Sequence, residues 1–234
     1  MFDYSGKVAL VTGANGNLGR TVAEELRSAG ARLALVGRKA EESEKVFASG
    51  EDVLPLGADL TDPGAVQAAV DRAIARYGRI DLLANIAGGF TMGPPVHETP
   101  VETWEFMLNL NARSVFLTCR AVLPHMRTAR YGRIVNVSAR AAREAKSNLA
   151  PYRIAKRAVL TLTESIAVEN RDSGITANCI LPGTIDTPEN RADMPDADFS
   201  RWVPPGQLAA VILFLGSEAA GAVSGAAIPV YGRS

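Results

Sequence analysis

Tyr152 and Lys156 stand four residues apart in the run Pro151-Tyr152-Arg153-Ile154-Ala155-Lys156. On a helix that spacing points both side chains to one face. A phenol near its ordinary pKa of ~10 is a poor acid or base at neutral pH, and bringing it to ~7 takes ~4 kcal/mol. An ammonium ~4 Å away at an effective dielectric of ~20 supplies about that much, before desolvation takes some back. Beside a bound cofactor, such a pair could hold a tuned proton donor. Alone, a Tyr-x-x-x-Lys pair is more often two exposed residues with no joint role, so the rest of the chain has to decide.

The elements that would position this pair alternate along the chain. Residues 7–12 form a short, nearly continuous apolar run, the pattern of a parallel strand buried on both faces. Gly13-Ala14-Asn15-Gly16-Asn17-Leu18-Gly19 follows at once, and residues 21–29 read as a helix ended by Gly30. A glycine-rich turn between strand and helix aims backbone N–H groups and a helix N-terminus at a phosphate. The second strand, residues 32–36, ends at Gly37-Arg38. An acidic residue at this place would bind a ribose 2′-hydroxyl, but the chain has Gly37, followed by Arg38 and Lys39. A guanidinium without a neighbouring carboxylate at that place favours NADP(H) over NAD(H). The glycine turn itself adds no basic residue, because Gly16 sits where one would help.

Residues 53–58 read as the third strand, closed by Asp59-Leu60, with Thr61 or Asp62 as a cap and Pro63 in the first turn of the next helix. Val66, Val70 and Ile74 give that helix one buried face. Residues 81–89 read as a fourth strand running into Gly88-Gly89. A long helical pattern spans residues 101–127, and Pro124 is expected to bend or end it. Strand five, residues 133–137, ends at Ser138. The helix of Tyr152 and Lys156 runs to about residue 172, strand six covers residues 174–181, a further helix covers 208–215 and a last strand covers 226–230. This predicts one α/β domain over residues 1–234, a doubly wound, largely parallel seven-stranded sheet flanked by helices, Rossmann-like. Ligands of such sheets bind outside the carboxyl ends of the strands, where the glycine turn, Asp59, Asn85, Ser138 and Pro182 all fall.

In order and spacing these residues resemble the short-chain dehydrogenase/reductase family over nearly the whole chain. Thr12-Gly13 with Gly19 resembles its cofactor turn, Asp59 its adenine-contacting acid, and Asn85-Ile86-Ala87-Gly88 its Asn-Asn-Ala-Gly motif. Asn111 matches the Asn that holds a proton-relay water, Tyr152 and Lys156 match the catalytic pair, and Pro182-Gly183 with Thr187 resembles the segment that receives the nicotinamide carboxamide. The resemblance implies a hydride exchanged between nicotinamide and a small carbonyl or alcohol substrate, with Tyr152 as general acid/base. Lys156 would hold the nicotinamide ribose and lower the Tyr152 pKa, and Asn111 would support the water chain. It implies a cofactor set of Gly13, Asn15, Asn17, Leu18, Gly19, Arg38, Asp59, Leu60, Asn85, Ala87, Gly88, Tyr152, Lys156, Pro182, Gly183, Ile185 and Thr187. It also implies a homodimer or homotetramer and a substrate lid, here short, over about residues 188–205.

Three positions depart from the pattern. Asn17 replaces the middle glycine of the turn, a place where Asn's tolerance of left-handed backbone would keep the turn intact. Ile86 replaces an Asn that helps brace the sheet. The third departure touches the chemistry. The carbonyl-polarising Ser of the family lies thirteen residues before the Tyr; 152 minus 13 is 139, and residue 139 is Ala. Ser138 is one place earlier, and on a strand its side chain would face the other way. Either Ser138 compensates or the Ser is unneeded, as in members resembling dihydropteridine reductases that act on activated substrates, or the chain is a degenerate NADP-binding sensor or scaffold.

The bulk composition excludes other classes. Lys and Arg number 25 against 25 Asp and Glu, leaving no basic footprint for nucleic acid. No apolar run reaches the ~18 residues of a membrane helix, and the first residues carry no secretory h-region. Cys119 and Cys179 lack metal-ligand spacing and suit a reduced, cytoplasmic setting, and His97 and His125 are isolated, so no metal site is expected. Arg140, Arg143 and Lys146 could attract an anionic substrate, although a solvated charged loop is the simpler reading.

Overall fold

All seven segments read from the sequence as strands pair into one sheet. The computed structural model describes residues 2–233. The strands are β1 (Val8–Thr12), β2 (Arg32–Gly37), β3 (Val53–Gly57), β4 (Leu82–Asn85), β5 (Gly132–Val137), β6 (Ile175–Pro182) and β7 (Ala227–Val230). They pair in the order β3-β2-β1-β4-β5-β6-β7, and all pairs are parallel. Parallel strands need helical crossovers, and these cover both faces. One face buries Val66, Val70, Val122, Met126, Val159 and Ile166 from α3 (Pro63–Tyr77), α5 (Ser114–Ala129) and α6 (Ala150–Glu169). The other buries Val22, Leu26, Leu208 and Ile212 from α1 (Asn17–Ser28) and α8 (Pro205–Gly216). The chain winds outward from β1 to β3 and then returns to place β4 on the other side of β1. That reversal opens a crevice at the carboxyl ends of β1 and β4.

Local structure follows the sequence signals closely in α3, where the Asp62 carboxylate accepts from the Gly64 N–H at 2.8 Å with Pro63 in the first turn. It departs from them in three places. α1 begins at Asn17, earlier than expected, so Asn17 has helical backbone and its left-handed tolerance is not used. The positive φ of the turn falls on Gly13 instead, at 69°. The pattern over residues 101–127 is α4 (Val101–Leu108), a π turn (Asn109–Arg113) and α5, and the helix runs through Pro124 to Ala129. Pro removes one helical N–H, but the fully buried Val122 and Met126 on either side hold the segment on the sheet. Two short helices carried no sequence signal, α2 (Ala40–Val46) and α7 (Pro188–Asp193). Both are too short for the periodicity of an amphipathic helix to show.

Candidate active site

A cleft of about 970 Å³ opens at the β1/β4 crevice. That is the upper end of small-molecule sites and suits an extended ligand. Its floor is the glycine turn, Gly13, Asn15, Asn17, Leu18 and Gly19. Thr12, buried at the end of β1, accepts from the N–H groups of Ile86 and Ala87 at 3.1 and 3.2 Å and so holds the loop after β4 against the turn. The two backbones come so close that a Cβ on Gly13 would lie 2.8 Å from the Ala87 nitrogen. Only glycine satisfies both the contact and the positive φ.

One end of the cleft is lined by Gly37, Arg38, Glu42, Asp59 and Leu60. The Asp59 carboxylate accepts from the Thr61 N–H and hydroxyl, which hold its pKa below the ordinary carboxylate value. A Cβ on Gly37 would lie 2.5 Å from Asn15 Nδ2 and 2.7 Å from Ser43 Oγ. The space of a β2-terminal side chain is therefore already filled by the Asn15 amide and the buried Ser43 hydroxyl. Asn15 Oδ1 is buried with no hydrogen-bond partner among the described residues, an acceptor-side vacancy in the chain's own bonding that a ligand hydroxyl can fill.

The candidate chemistry lies next to Gly88 at the other end; Lys156, Asn111 and Tyr152 stand beside the cleft lining rather than in it. Lys156 is 5% exposed, and its Nζ donates to the Val137 carbonyl at 3.1 Å. Asn111 lies in the π turn, fully buried; its Oδ1 accepts from the Gly89 N–H at 3.1 Å and its Nδ2 donates to the Met107 carbonyl at 3.1 Å. π turns often mark functional positions, because the extra residue redirects a side chain. Lys156 Nζ and Asn111 Oδ1 converge on Gly88, where a Cβ would lie 3.0 and 2.8 Å from them. Tyr152 shares a face of α6 with Lys156, whose Nζ is 5.9 Å from the Tyr152 ring centroid. The sequence suggested that the ammonium would pull the phenol down. In the structure burial sets both values: it pushes Tyr152 up to about 12 and Lys156 down to about 8.

Ser138 is buried and its hydroxyl donates to the Lys156 carbonyl at 2.7 Å, fastening the end of β5 to α6. Ala139 puts a methyl group, 9% exposed, at the next position. Asn85 is also turned inward: it donates to Asn136 Oδ1 at 2.9 Å and accepts from the Thr118 hydroxyl at 2.7 Å. It holds β4 to β5 and α5, while Ala87 and Gly88 line the cleft.

Pro182 ends β6, and Gly183, Ile185 and Thr187 follow it; none of the four is in the cleft lining. Gly183 donates its N–H to Val230, Ile185 bridges to Val203, and the Thr187 hydroxyl caps α7 by accepting from the Asn190 N–H at 3.2 Å. The segment over residues 188–205 is mostly exposed and is pinned at its end by the buried Trp202 and Val203, while Arg191 is paired with Asp186 and lies over the Phe199 ring. Of the three basic loop residues, Arg140 pairs with Glu144 and Arg143 donates to the Ala227 carbonyl.

Sequence reasoning missed Glu42, Glu189 and Phe90. Asn17 Nδ2 donates to Glu189 Oε2 at 2.7 Å, and Phe90 stands edge-on to the Tyr152 ring with centroids 5.0 Å apart. Glu42 and Glu189 sit on the two short helices that had no signal, and Phe90 follows a glycine pair in a loop. Among the described residues, no group of three or more His, Cys, Asp or Glu could hold a metal ion, and no helix is long and apolar enough to cross a membrane.

Residues 7–198 match the short chain dehydrogenase family. The chain is 37% identical to 2-(R)-hydroxypropyl-CoM dehydrogenase of Xanthobacter autotrophicus, with 97% of each chain covered. It is 35% identical to cis-4-hydroxycyclohexanecarboxylate dehydrogenase of Sinomonas cyclohexanicum, covering 98% of this chain and 96% of that one. Among solved structures, a short-chain type dehydrogenase/reductase from Mycobacterium ulcerans superposes with a TM-score of 0.93 at 27% identity, covering 99% of this chain and 90% of that one.

Proposed function

The chain belongs to the short-chain dehydrogenase family and is an oxidoreductase of CH–OH and C=O groups, and from that premise we propose an NADP(H)-dependent enzyme with Tyr152 as its general acid/base. The observation that carries the reading is the meeting of Lys156 Nζ and Asn111 Oδ1 at Gly88, with the Tyr152 ring centroid 5.9 Å from that same Nζ. When bound, the nicotinamide supplies or accepts the hydride.

The chain's own residues do the rest. The glycine turn and the N-terminus of α1 would hold the pyrophosphate. Asn15 and Asp59 would take the adenosine end, and Arg38 would take a 2′-phosphate. Lys156 would hold the nicotinamide ribose; a hydroxyl there gives its ammonium a second partner besides Val137. Tyr152 gives the substrate oxygen its proton or takes it away. Asn111, already bonded at both ends of its amide, fixes the loop at Gly89 and leaves its second Oδ1 lone pair for a relay water. Ser138 acts as a positioning residue, because its proton is committed to the Lys156 carbonyl. The exposed Phe116 and Val168 on α5 and α6 support a homodimer or homotetramer, and two buried free cysteines support a cytoplasmic setting.

NADPH oxidation against a panel of carbonyl compounds, with Tyr152→Phe alongside, tests this reading. Full activity in Tyr152→Phe would refute the assigned acid/base role. The second reading, a cofactor-binding sensor, is favoured by one observation, the methyl of Ala139 beside a Ser138 whose hydroxyl is engaged. Tight cofactor binding with no turnover, gained by Ala139→Ser, would favour it.

A further inference from the structure

Phe90 is 61% exposed, yet its ring is placed with care. It stands edge-on to Tyr152, with centroids 5.0 Å apart and planes at 88°. Packing does not put it there, since most of its surface faces solvent. Hydrogen bonds on both sides fix its loop: Gly89 donates to Asn111 Oδ1 at 3.1 Å, and Gly93 donates to the Asn148 carbonyl at 2.9 Å. Met92, two residues on, is also exposed. A T-shaped contact with Tyr152 occupies at most one face of Phe90, and with 61% of the residue exposed another face is open beside the candidate proton donor. Aromatic rings bind such faces by offset stacking.

The second observation is chemical. Tyr152 offers one hydrogen bond to a carbonyl oxygen. Position 139 offers a methyl group, and the Ser138 proton is used within the chain. With one donor, the negative charge that develops on oxygen must be carried largely by the substrate.

Resting on the oxidoreductase reading above, we propose that Phe90 is a specificity-determining platform and that the substrate is a planar ring compound with an electron-poor carbonyl, of the quinone or aromatic α-diketone class. The ring stacks on Phe90 and presents its carbonyl to Tyr152. In the reduction, two electrons and one hydrogen arrive at the carbonyl carbon as hydride from the reduced nicotinamide dinucleotide. The C=O π pair moves onto oxygen and takes the Tyr152 proton, and solvent returns a proton to Tyr152. The neighbouring carbonyl withdraws electron density from the alkoxide that forms, so a single donor is enough.

The test uses the whole chain saturated with NADP⁺, a state in which both ligands are oxidised and no turnover occurs. Phenanthrenequinone and cyclohexanone are titrated by calorimetry into the natural protein and Phe90→Leu, which keeps an apolar side chain and removes the π face. Loss of stacking is expected to weaken phenanthrenequinone about two- to tenfold and to leave cyclohexanone unchanged. In NADPH turnover, Ala139→Ser is expected to raise kcat on cyclohexanone at least tenfold and to change phenanthrenequinone little. Equal phenanthrenequinone affinity in the two proteins, or an equal Ala139→Ser effect on both ketones, would overturn the proposal and leave the oxidoreductase reading standing. Failure of NADP⁺ itself to bind would overturn both.

Discussion

Asn17 Nδ2 donates to Glu189 Oε2 at 2.7 Å, so the first turn of α1 is tied to α7. Asn17 stands where the family pattern has its middle glycine, so this side chain is a feature of this sequence. The bond also brings a carboxylate to the N-terminal end of α1, where the helix dipole favours an anion. The Glu189 backbone N–H first, and the Asn17 amide second, hold the Glu189 carboxyl below its ordinary pKa, so it is charged at neutral pH.

Glu189 therefore competes with a dinucleotide phosphate for the same helix end. Glu189→Gln is expected to tighten NADPH binding by about two- to fivefold, the effect of one charge at a helix terminus. Hydrogen exchange over residues 187–194 should quicken in the same variant. Weaker NADPH binding in Glu189→Gln would mean that the carboxylate supports the cofactor instead of competing with it.

Arg38 and Glu42 line the same end of the cleft with opposite charges. A 2′-phosphate gains from the guanidinium and loses by the carboxylate. Arg38→Ala should lower the NADPH over NADH preference by about ten- to a hundredfold, the worth of a charge-assisted hydrogen bond of about 1.5–3 kcal/mol. Glu42→Gln should raise it. Ratios of kcat/KM for the two cofactors provide the check, and an unchanged ratio in Arg38→Ala would remove the case for NADP(H).

Position 37 invites a simple conversion to NAD(H), Gly37→Asp, and the packing opposes it. The new Cβ would meet Asn15 Nδ2 at 2.5 Å and Ser43 Oγ at 2.7 Å. Crowding of this kind commonly costs about 1–3 kcal/mol. Gly37→Asp alone should lower the urea midpoint and lose NADPH binding without gaining NADH. Adding Ser43→Ala and Asn15→Ser should recover stability. A fully stable Gly37→Asp single variant would refute the packing argument.

These residues show why the sequence was only partly legible. Continuous apolar runs and the glycine turn announce the sheet, and Tyr152, Lys156 and Asn111 sit on long helical segments with clear spacing. Contacts between distant segments leave no periodic trace: Asn17 with Glu189, Phe90 with Tyr152, and Gly37 with Asn15 each join segments whose meeting depends on loop paths. The Asn17 reading failed for a related reason. A helix that starts within the glycine turn moves the left-handed position to Gly13, and only the backbone reveals where that start falls.

Ser138 separates two kinds of contribution. Its hydroxyl bond to the Lys156 carbonyl predicts that Ser138→Ala loses about 0.5–1.5 kcal/mol of stability. It also predicts a fall in kcat of less than about tenfold, through a looser Lys156. Loss of a donor to the substrate oxygen would instead cut kcat by about 10²–10³. Urea unfolding and kcat measured on the same variant distinguish the roles, and a kcat loss in the larger range would make Ser138 a catalytic donor.

Lys156 makes the stability of the protein depend on pH in an unusual direction. Burial pushes it from 10.5 down to about 8 in the folded chain. Between those values the unfolded chain holds a proton that the folded chain has released, so stability rises with pH, by at most about 1.4 kcal/mol per unit. Groups raised by burial act oppositely: Cys179, pushed from 9 up to about 12, and Tyr152, pushed from 10 up to about 12, keep protons in the folded chain that the unfolded chain loses. Their losses begin near pH 9 and pH 10, leaving about pH 7.5 to about 9 as the window in which Lys156 dominates this set. Urea unfolding of the natural protein and Lys156→Met across that window should give a difference that moves in favour of the natural protein as pH rises. A flat difference would mean that Lys156 stays charged in the folded state, held by its bond to the Val137 carbonyl more strongly than burial opposes it.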